Sequence, residues 1–510
     1  MTRRDDPALP FATKVCRLLS IAGIALALAP MVYADERGAA HHFEQIKGHP
    51  PTLRIFLRQF PKGGDLHKHL DGAIFAETYL QWAAEDGKCI DLNTTQLSLP
   101  PCDGTSVSDV MDDVPTVNRL IDAFSIRNYE RGPVSGHDQF FATFGRFAAA
   151  TVGREADMIS DVRRRASREN VNYLELMQIF GMQEAMKVGR ENRHWGELTT
   201  EDTLIADEQL DDLVNEVIAQ TDIVEDDVQR QLGCDDDPDN DGCDVTVRYL
   251  STVLRGFTKS EVAAQLLVAT RLVAQDPRYV GINLAMPEDM PKVLDNYSWQ
   301  MALVRDLMDK FPSARPGLTL HAGELSMGLV SPDELRHHIG EAVIVAGARR
   351  IGHGTAIAFE DNAEALLERM AKDKILVEIN LSSNAVILGV TGEDHPFTLY
   401  RQYGVPVALA TDNTGVSRID FTHEYKRAVE TYDLSYVEIK TLARNSIEYS
   451  FLAGESLFED VPTATRKEVC RSQPSDIVQS PTCTTFLSRS AKANRQMDLE
   501  KRFEDFEENY

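Results

Sequence analysis

Four short segments of this 510-residue chain end in side chains that bind metals or move protons: His67-Lys68-His69, His321-Ala322-Gly323-Glu324, Gly352-His353-Gly354 and Thr411-Asp412-Asn413. Residues two apart in a strand point to the same side, so His67 and His69 can face one ion while Lys68 points away. His321 closes the apolar stretch LTL, and Glu324 follows three residues later. A glutamate in a partly desolvated pocket has a raised pKa and can move protons near neutral pH. His353 sits between two glycines, which suits a tight turn that presents the imidazole to a pocket. Asp412 follows VPVALAT, and a carboxylate after such a run is usually paired or metal-bound, because a lone buried charge is costly. Three imidazoles and a carboxylate suit zinc or another borderline divalent ion. Glu324 and His353 remain for acid–base work on a water activated by that ion.

These segments need a frame that brings them together. Eight stretches read as strands: Gly63–Leu70, Val171–Gln178, Val245–Leu254, Val280–Leu284, Gly317–His321, Arg349–His353, Ile375–Asn380 and Val405–Thr411. Helical periodicity falls between them, at Glu155–Glu169, Ser260–Ala274, Tyr297–Lys310, Pro332–Ala346, Ala363–Lys372 and Pro396–Tyr403 among others. Strand followed by helix, eight times over, predicts an α/β (β/α)8 TIM barrel. The ligand-type residues then lie at the C-terminal ends of strands one, five, six and eight, the face on which such barrels build active sites. Residues 35–60 read as a polar lead-in and a first helix, 61–452 as the barrel, and 453–510 as a disulfide loop and charged terminal helix. Residues 184–244 are acid-rich with little strand signal and read as an insertion after strand two. Its segment CDDDPDNDGC alternates acids like a calcium loop but lacks the closing glutamate, so a solvated acidic loop is expected.

The segments HKHLDGAIF, LTLHAGE, RRIGHGTAI and ATDN together resemble the signatures of the adenosine deaminase family, metal-dependent amidohydrolases on a TIM barrel. The resemblance runs from about Pro61 to Leu452 and keeps the family's order. It implies one zinc ion held by His67, His69, His321 and Asp412. It implies that Glu324 delivers a proton to purine N1, while His353 orients and deprotonates the attacking water, with Asp412 in contact with the attacking oxygen. Asp71 resembles the family's contact to the ribose 5′-hydroxyl. The implied reaction is hydrolytic deamination of adenosine or 2′-deoxyadenosine to the inosine product and ammonia. Two positions depart from the pattern. Asn413 replaces a second aspartate that contacts purine N7, where an amide NH₂ can still donate. Met286 stands where the family has a glycine beside N3. Deamination of another 6-aminopurine, or a non-catalytic extracellular binding protein on the same barrel, remain alternatives. The paired-cysteine signature of cytidine-deaminase-type zinc sites is absent.

Bulk properties narrow the partners. Formal net charge is −27, and removal of residues 1–34 would take away four basic and two acidic residues to leave −29. Such a chain repels nucleic acid and anionic lipid, both bound chiefly through Lys and Arg, and the family resemblance implies a small purine nucleoside as the partner. Basic residues, an apolar run from Leu18 to Ala29 and Val32-Tyr33-Ala34 make residues 1–34 read as a cleaved signal peptide. The destination would be the periplasm or the medium, with no membrane attachment after cleavage. Apart from Cys16, the cysteines form three sequence-local pairs, Cys89 with Cys102, Cys234 with Cys243 and Cys470 with Cys483, expected as disulfides in an oxidising compartment.

Overall fold

The computed structural model describes residues 34–197, 208–314, 317–471 and 480–510. The signal-peptide reading lies outside the described residues, except for Ala34, which opens a helix.

Eight parallel strands form the frame. They are β1 (Gly63–His69), β2 (Val171–Gln178), β3 (Thr246–Leu254), β4 (Tyr279–Ala285), β5 (Thr319–Ala322), β6 (Arg350–His353), β7 (Leu376–Ile379) and β8 (Val407–Leu409). Strands β1 to β4 form one curled sheet and β5 to β8 a second, each in sequence order. Parallel bridges Ile282–Leu318 and Lys68–Asp412 join the two sheets, closing the ring. All eight predicted strands are present, each within a few residues of its expected ends. Every residue of β2, β5, β6, β7 and β8 is buried, as expected for a sheet covered by helices on one side and filled on the other.

The filling of the barrel is partly charged. Arg350 on β6 donates to Glu175 Oε2 and Glu378 Oε1, each at 2.6 Å, and packs over the Phe451 ring. All three charged side chains are at most 1% exposed. A buried charge is tolerated only when paired and hydrogen-bonded, and Tyr173 Oη and Phe451 N complete the set at Glu175 Oε1.

One expectation is corrected and two are extended. Residues 35–60, expected as a polar lead-in and a first helix, belong to two helices, Ala34–Ile46 and Pro50–Gln59. Phe43 packs on Phe56, and Phe56 on Phe506 of the last helix, so apolar contacts distant in sequence order a polar-looking segment. The helix expected over Pro332–Ala346 is instead a broken series of short turns, Glu334–Arg336, His338–Gly340 and Glu341–Ala346. There Glu360 Oε1 accepts from the backbone of Ile339 and Gly340, and the His338 side chain is drawn to Glu288. The acid-rich 184–244 segment carries a 25-residue helix, Glu208–Leu232. Its apolar face, including Leu210, Val214, Val217 and Val228, is buried, while its acids face outward or pair with Arg271 and Arg278. The short CDDDPDNDGC stretch is the loop expected, closed by the Cys234–Cys243 disulfide. The other two cysteine pairs are also bonded as expected. No helix among the described residues is long and apolar enough to cross a membrane.

Candidate functional site

The barrel brings the four segments to one place. His67 and His69 end β1, His321 lies in β5, His353 ends β6, and Asp412 follows β8. One nitrogen or oxygen from each of His67, His69, His321 and Asp412 lies within 4.8 Å of the others. His69 Nε2 is 3.2 Å from His321 Nε2 and 3.3 Å from Asp412 Oδ1. Lys68 points away, as its position in the strand requires, and donates to Asp65 and Thr411. His353 (φ 65°) and Asp412 (φ 56°) both hold left-handed backbone, a conformation non-glycine residues adopt only under tertiary constraint. A side chain at Gly352 would strike the His67 ring, because its Cβ would sit 2.7 Å from His67 Cε1.

A ring of acceptors orients these groups. His67 Nδ1–H donates to Glu378 Oε2 at 2.6 Å, His321 Nδ1–H to Asn283 Oδ1 at 2.6 Å, and His353 Nδ1–H to Asn384 Oδ1 at 2.7 Å. Each bond sets the tautomer and leaves the Nε2 lone pair free to face the centre. Ser383 Oγ donates to Asp412 Oδ2 at 2.6 Å. His67 Nε2 is buried with no hydrogen-bond partner, an atom that a cation would satisfy. The donor chemistry and this orphaned nitrogen fit a divalent ion of the zinc type.

The electrostatics divide the groups by task. Burial, then the charges of neighbouring histidines, pushes His69 down to about 4 and His321 well below the ordinary imidazole value. Burial, then the His67 charge, pushes His353 down to about 4, so it is a neutral base at pH 7. Burial opposes a charge on His67, but Asp412 and Glu378 outweigh it and lift that imidazole to about 10. A cation facing Nε2 would displace that proton, because a ligating imidazole is neutral. Glu324 is pushed well above the usual carboxylate range, first by burial and then by the charges of Asp412 and Glu288. That environment favours its carboxylic acid form, 3.5 Å from His353.

Glu324 is held through its backbone: Glu288 accepts from Gly323 N at 3.0 Å and Glu324 N at 2.9 Å. Glu288, Glu378, Asn283, Asn384 and Ser383 were not expected from the sequence. Glu378 had a signal, a lone charge in the apolar strand ILVEI, which must be paired if buried. The other four look like ordinary polar residues until the fold places them.

Asp71 and Asn413, expected on the substrate side, both line a cavity of about 1030 Å³ that opens from this centre. Asn413 donates to Asp412 Oδ1 at 2.5 Å, so its amide also braces a proposed ligand. Met286 lines the same cavity at φ 95°, left-handed backbone that favours glycine.

The sequence model of the adenosine deaminase family matches residues 173–459, more than half of the chain. The chain is 29% identical over 211 residues to an adenosine deaminase of Shewanella loihica, covering 41% of this chain and 57% of that one. It is 32% identical over 139 residues to an adenosine deaminase of Clostridium perfringens, covering 27% and 39%. These matches span less than two thirds of the relatives' length. Among solved structures, an arabidopsis N6-mAMP deaminase shares the fold at TM-score 0.51 and 22% identity, covering 78% of this chain and 95% of its own. A zinc-bound amidohydrolase from Burkholderia ambifaria does so at TM-score 0.51 and 17% identity, covering 78% and 88%.

Proposed function

The chain belongs to the adenosine deaminase family, and from that premise we propose that it is a zinc-dependent deaminase of adenosine and 2′-deoxyadenosine. One observation carries the reading: His353 and Glu324, both buried and 3.5 Å apart, flank a four-ligand cluster at the barrel's C-terminal face. His67, His69, His321 and Asp412 would hold the ion, which supplies a Lewis acid that makes water nucleophilic near neutral pH.

The chain's own residues do the rest. The purine lies with N1 toward Glu324, which gives its proton to N1 and makes C6 electrophilic. His353, its Nδ1–H fixed on Asn384, takes a proton from the attacking water. Asp412, fixed by Ser383 and Asn413, keeps one oxygen toward the attack path. The amine leaves C6 as ammonia once protonated, and the 6-oxo product remains. Asp71 and Asn413 position the nucleoside.

The cavity favours a nucleoside over a nucleotide. Its acids include Asp71, Glu155, Glu184 and Glu216, and among the described residues no Lys or Arg lines it. A phosphate would meet negative charge with no cation to pair with. Met286 and Asn413 favour, as second reading, a different 6-aminopurine nucleoside. The disulfides, with the signal-like residues 1–34, support an exported enzyme.

The test is adenosine turnover by the purified protein, with chelated and zinc-restored samples run alongside. Inosine and ammonia formed by the first and third samples, and not by the second, would support both reaction and metal. Zinc-loaded protein that leaves every 6-aminopurine nucleoside unchanged would sink the proposal.

A further inference from the structure

The 184–244 segment is built into the same cavity that the reaction centre opens into. Leu213, Glu216, Val217 and Gln220 of the Glu208–Leu232 helix line it, together with Phe180, Phe141 and Phe144. The helix is fixed there. Gly181 lies so close beneath it that a Cβ would be 2.3 Å from Val217 Cγ2. Thr221 Oγ1 bonds Tyr279 Oη at 2.7 Å, and Glu225 accepts from the Tyr249 hydroxyl at 3.1 Å. An appended lobe for partner binding would not be so tied into the barrel core.

The cavity is polarised. His69, His321, Glu324 and Asp412 line one part, where the amine must be placed for reaction. Elsewhere aromatic and aliphatic side chains predominate, with Glu155, Glu184 and Glu216 among them and no Lys or Arg among the described residues. At about 1030 Å³ it stands at the upper end of the range that drug-sized ligands fill. A bare nucleoside is small by that measure. With C6 held at the reactive groups, N9 lies at the other end of the purine, so whatever the sugar carries projects into the apolar part. An apolar space that large is favourable to fill with carbon and unfavourable to fill with charge.

Resting on the deaminase reading, we propose that the site takes a 6-aminopurine nucleoside bearing an uncharged apolar group on its sugar. That group lodges between Leu213 and Val217 of the insertion helix and Phe141, Phe144 and Phe180 opposite. The insertion helix is thus the specificity wall of the enzyme.

The test measures binding rather than turnover. Zinc-loaded full-length protein carrying Glu324→Gln is titrated calorimetrically with adenosine, 3′-O-hexyladenosine, which keeps the 5′-hydroxyl for Asp71, and N6-hexyladenosine. The expected result is that the 3′-O-hexyl compound binds at least about tenfold tighter than adenosine, the gain from burying its chain being discounted for the cost of ordering it. Val217→Ala and Phe141→Ala, checked for folding by circular dichroism, should each bring the ratio of the two affinities toward one. Phe141 is only partly buried, so its variant keeps the test open if the Val217 variant does not fold. Equal affinity for adenosine and its 3′-O-hexyl derivative would overturn the inference, as would a gain confined to the N6-hexyl compound or a ratio unmoved in both variants. Failure of the wild type to deaminate adenosine would count against the reaction alone, since these affinities do not depend on it.

Discussion

The two halves of the barrel present different faces to one cavity. The ends of β1, β5, β6 and β8 carry histidines and carboxylates whose polar atoms are largely tied to named partners. The ends of β2, β3 and β4 carry Met177, Phe180, Leu254, Ala285 and Met286, with the insertion helix beyond them. Reactivity needs groups fixed by hydrogen bonds in a dry setting, where electrostatic effects are strongest. Selection needs shape and apolar area, which any helix with a buried stripe can supply. The contrast suggests that reaction class resides in the first half and substrate choice in the second.

The largest break in that division should come from Glu324→Gln. It keeps the shape but removes the proton, and kcat should fall by about 10³-fold with bound zinc unchanged. Steady-state assay with metal analysis would read it, and a variant of near-normal rate would refute the acid role. Next is Glu378→Gln, which leaves His67 without its charged acceptor. Zinc affinity should drop by about 10–100-fold, measured by competition with a chromophoric chelator. Unchanged affinity would mean that Arg350 and Glu378 serve only the core.

On the other half, Met286→Gly should act on selection alone. It relieves the φ 95° backbone and removes a side chain from the cavity wall. The ratio of kcat/KM values for adenosine and bulkier nucleosides should change by about tenfold while kcat for adenosine stays within about twofold. A collapse of kcat would place Met286 with the reactive groups.

The smallest effect joins the halves. Glu288 comes from the loop after β4 and holds the Gly323–Glu324 backbone. Burial would raise its pKa, but the His338 hydrogen bond and charge, with Arg255 behind them, bring it down to about 2. A carboxylate with a lowered folded-state value adds stability that is complete above about pH 4.5 and is lost as pH falls toward 2. The melting temperature of the wild type should therefore lead that of Glu288→Gln by a few degrees at about pH 6, a gap that narrows by about pH 3. A gap that widened on acidification would contradict the sign.

Much of this was legible in the chain. The eight strands could be read because apolar runs of strand length stand apart from the helical period. The insertion helix was missed because its acids dominate the composition, while the burial of Leu210, Val214 and Val217 depends on a barrel not yet formed. The turns replacing the Pro332–Ala346 helix were missed for a related reason: Glu288 and Glu360, remote in sequence, compete for its backbone and side chains.

The sequence by itself determined which candidate residues could meet, because ligand and acid–base chemistry belongs to residue types, and their positions at strand ends follow from periodicity. Only the tertiary structure decided which acceptor fixes each imidazole, why the Glu324 carboxyl is pushed above its usual range, and that a remote acidic segment walls the cavity. Those depend on distances between elements far apart in the chain, and on the burial that sets the strength of each charge.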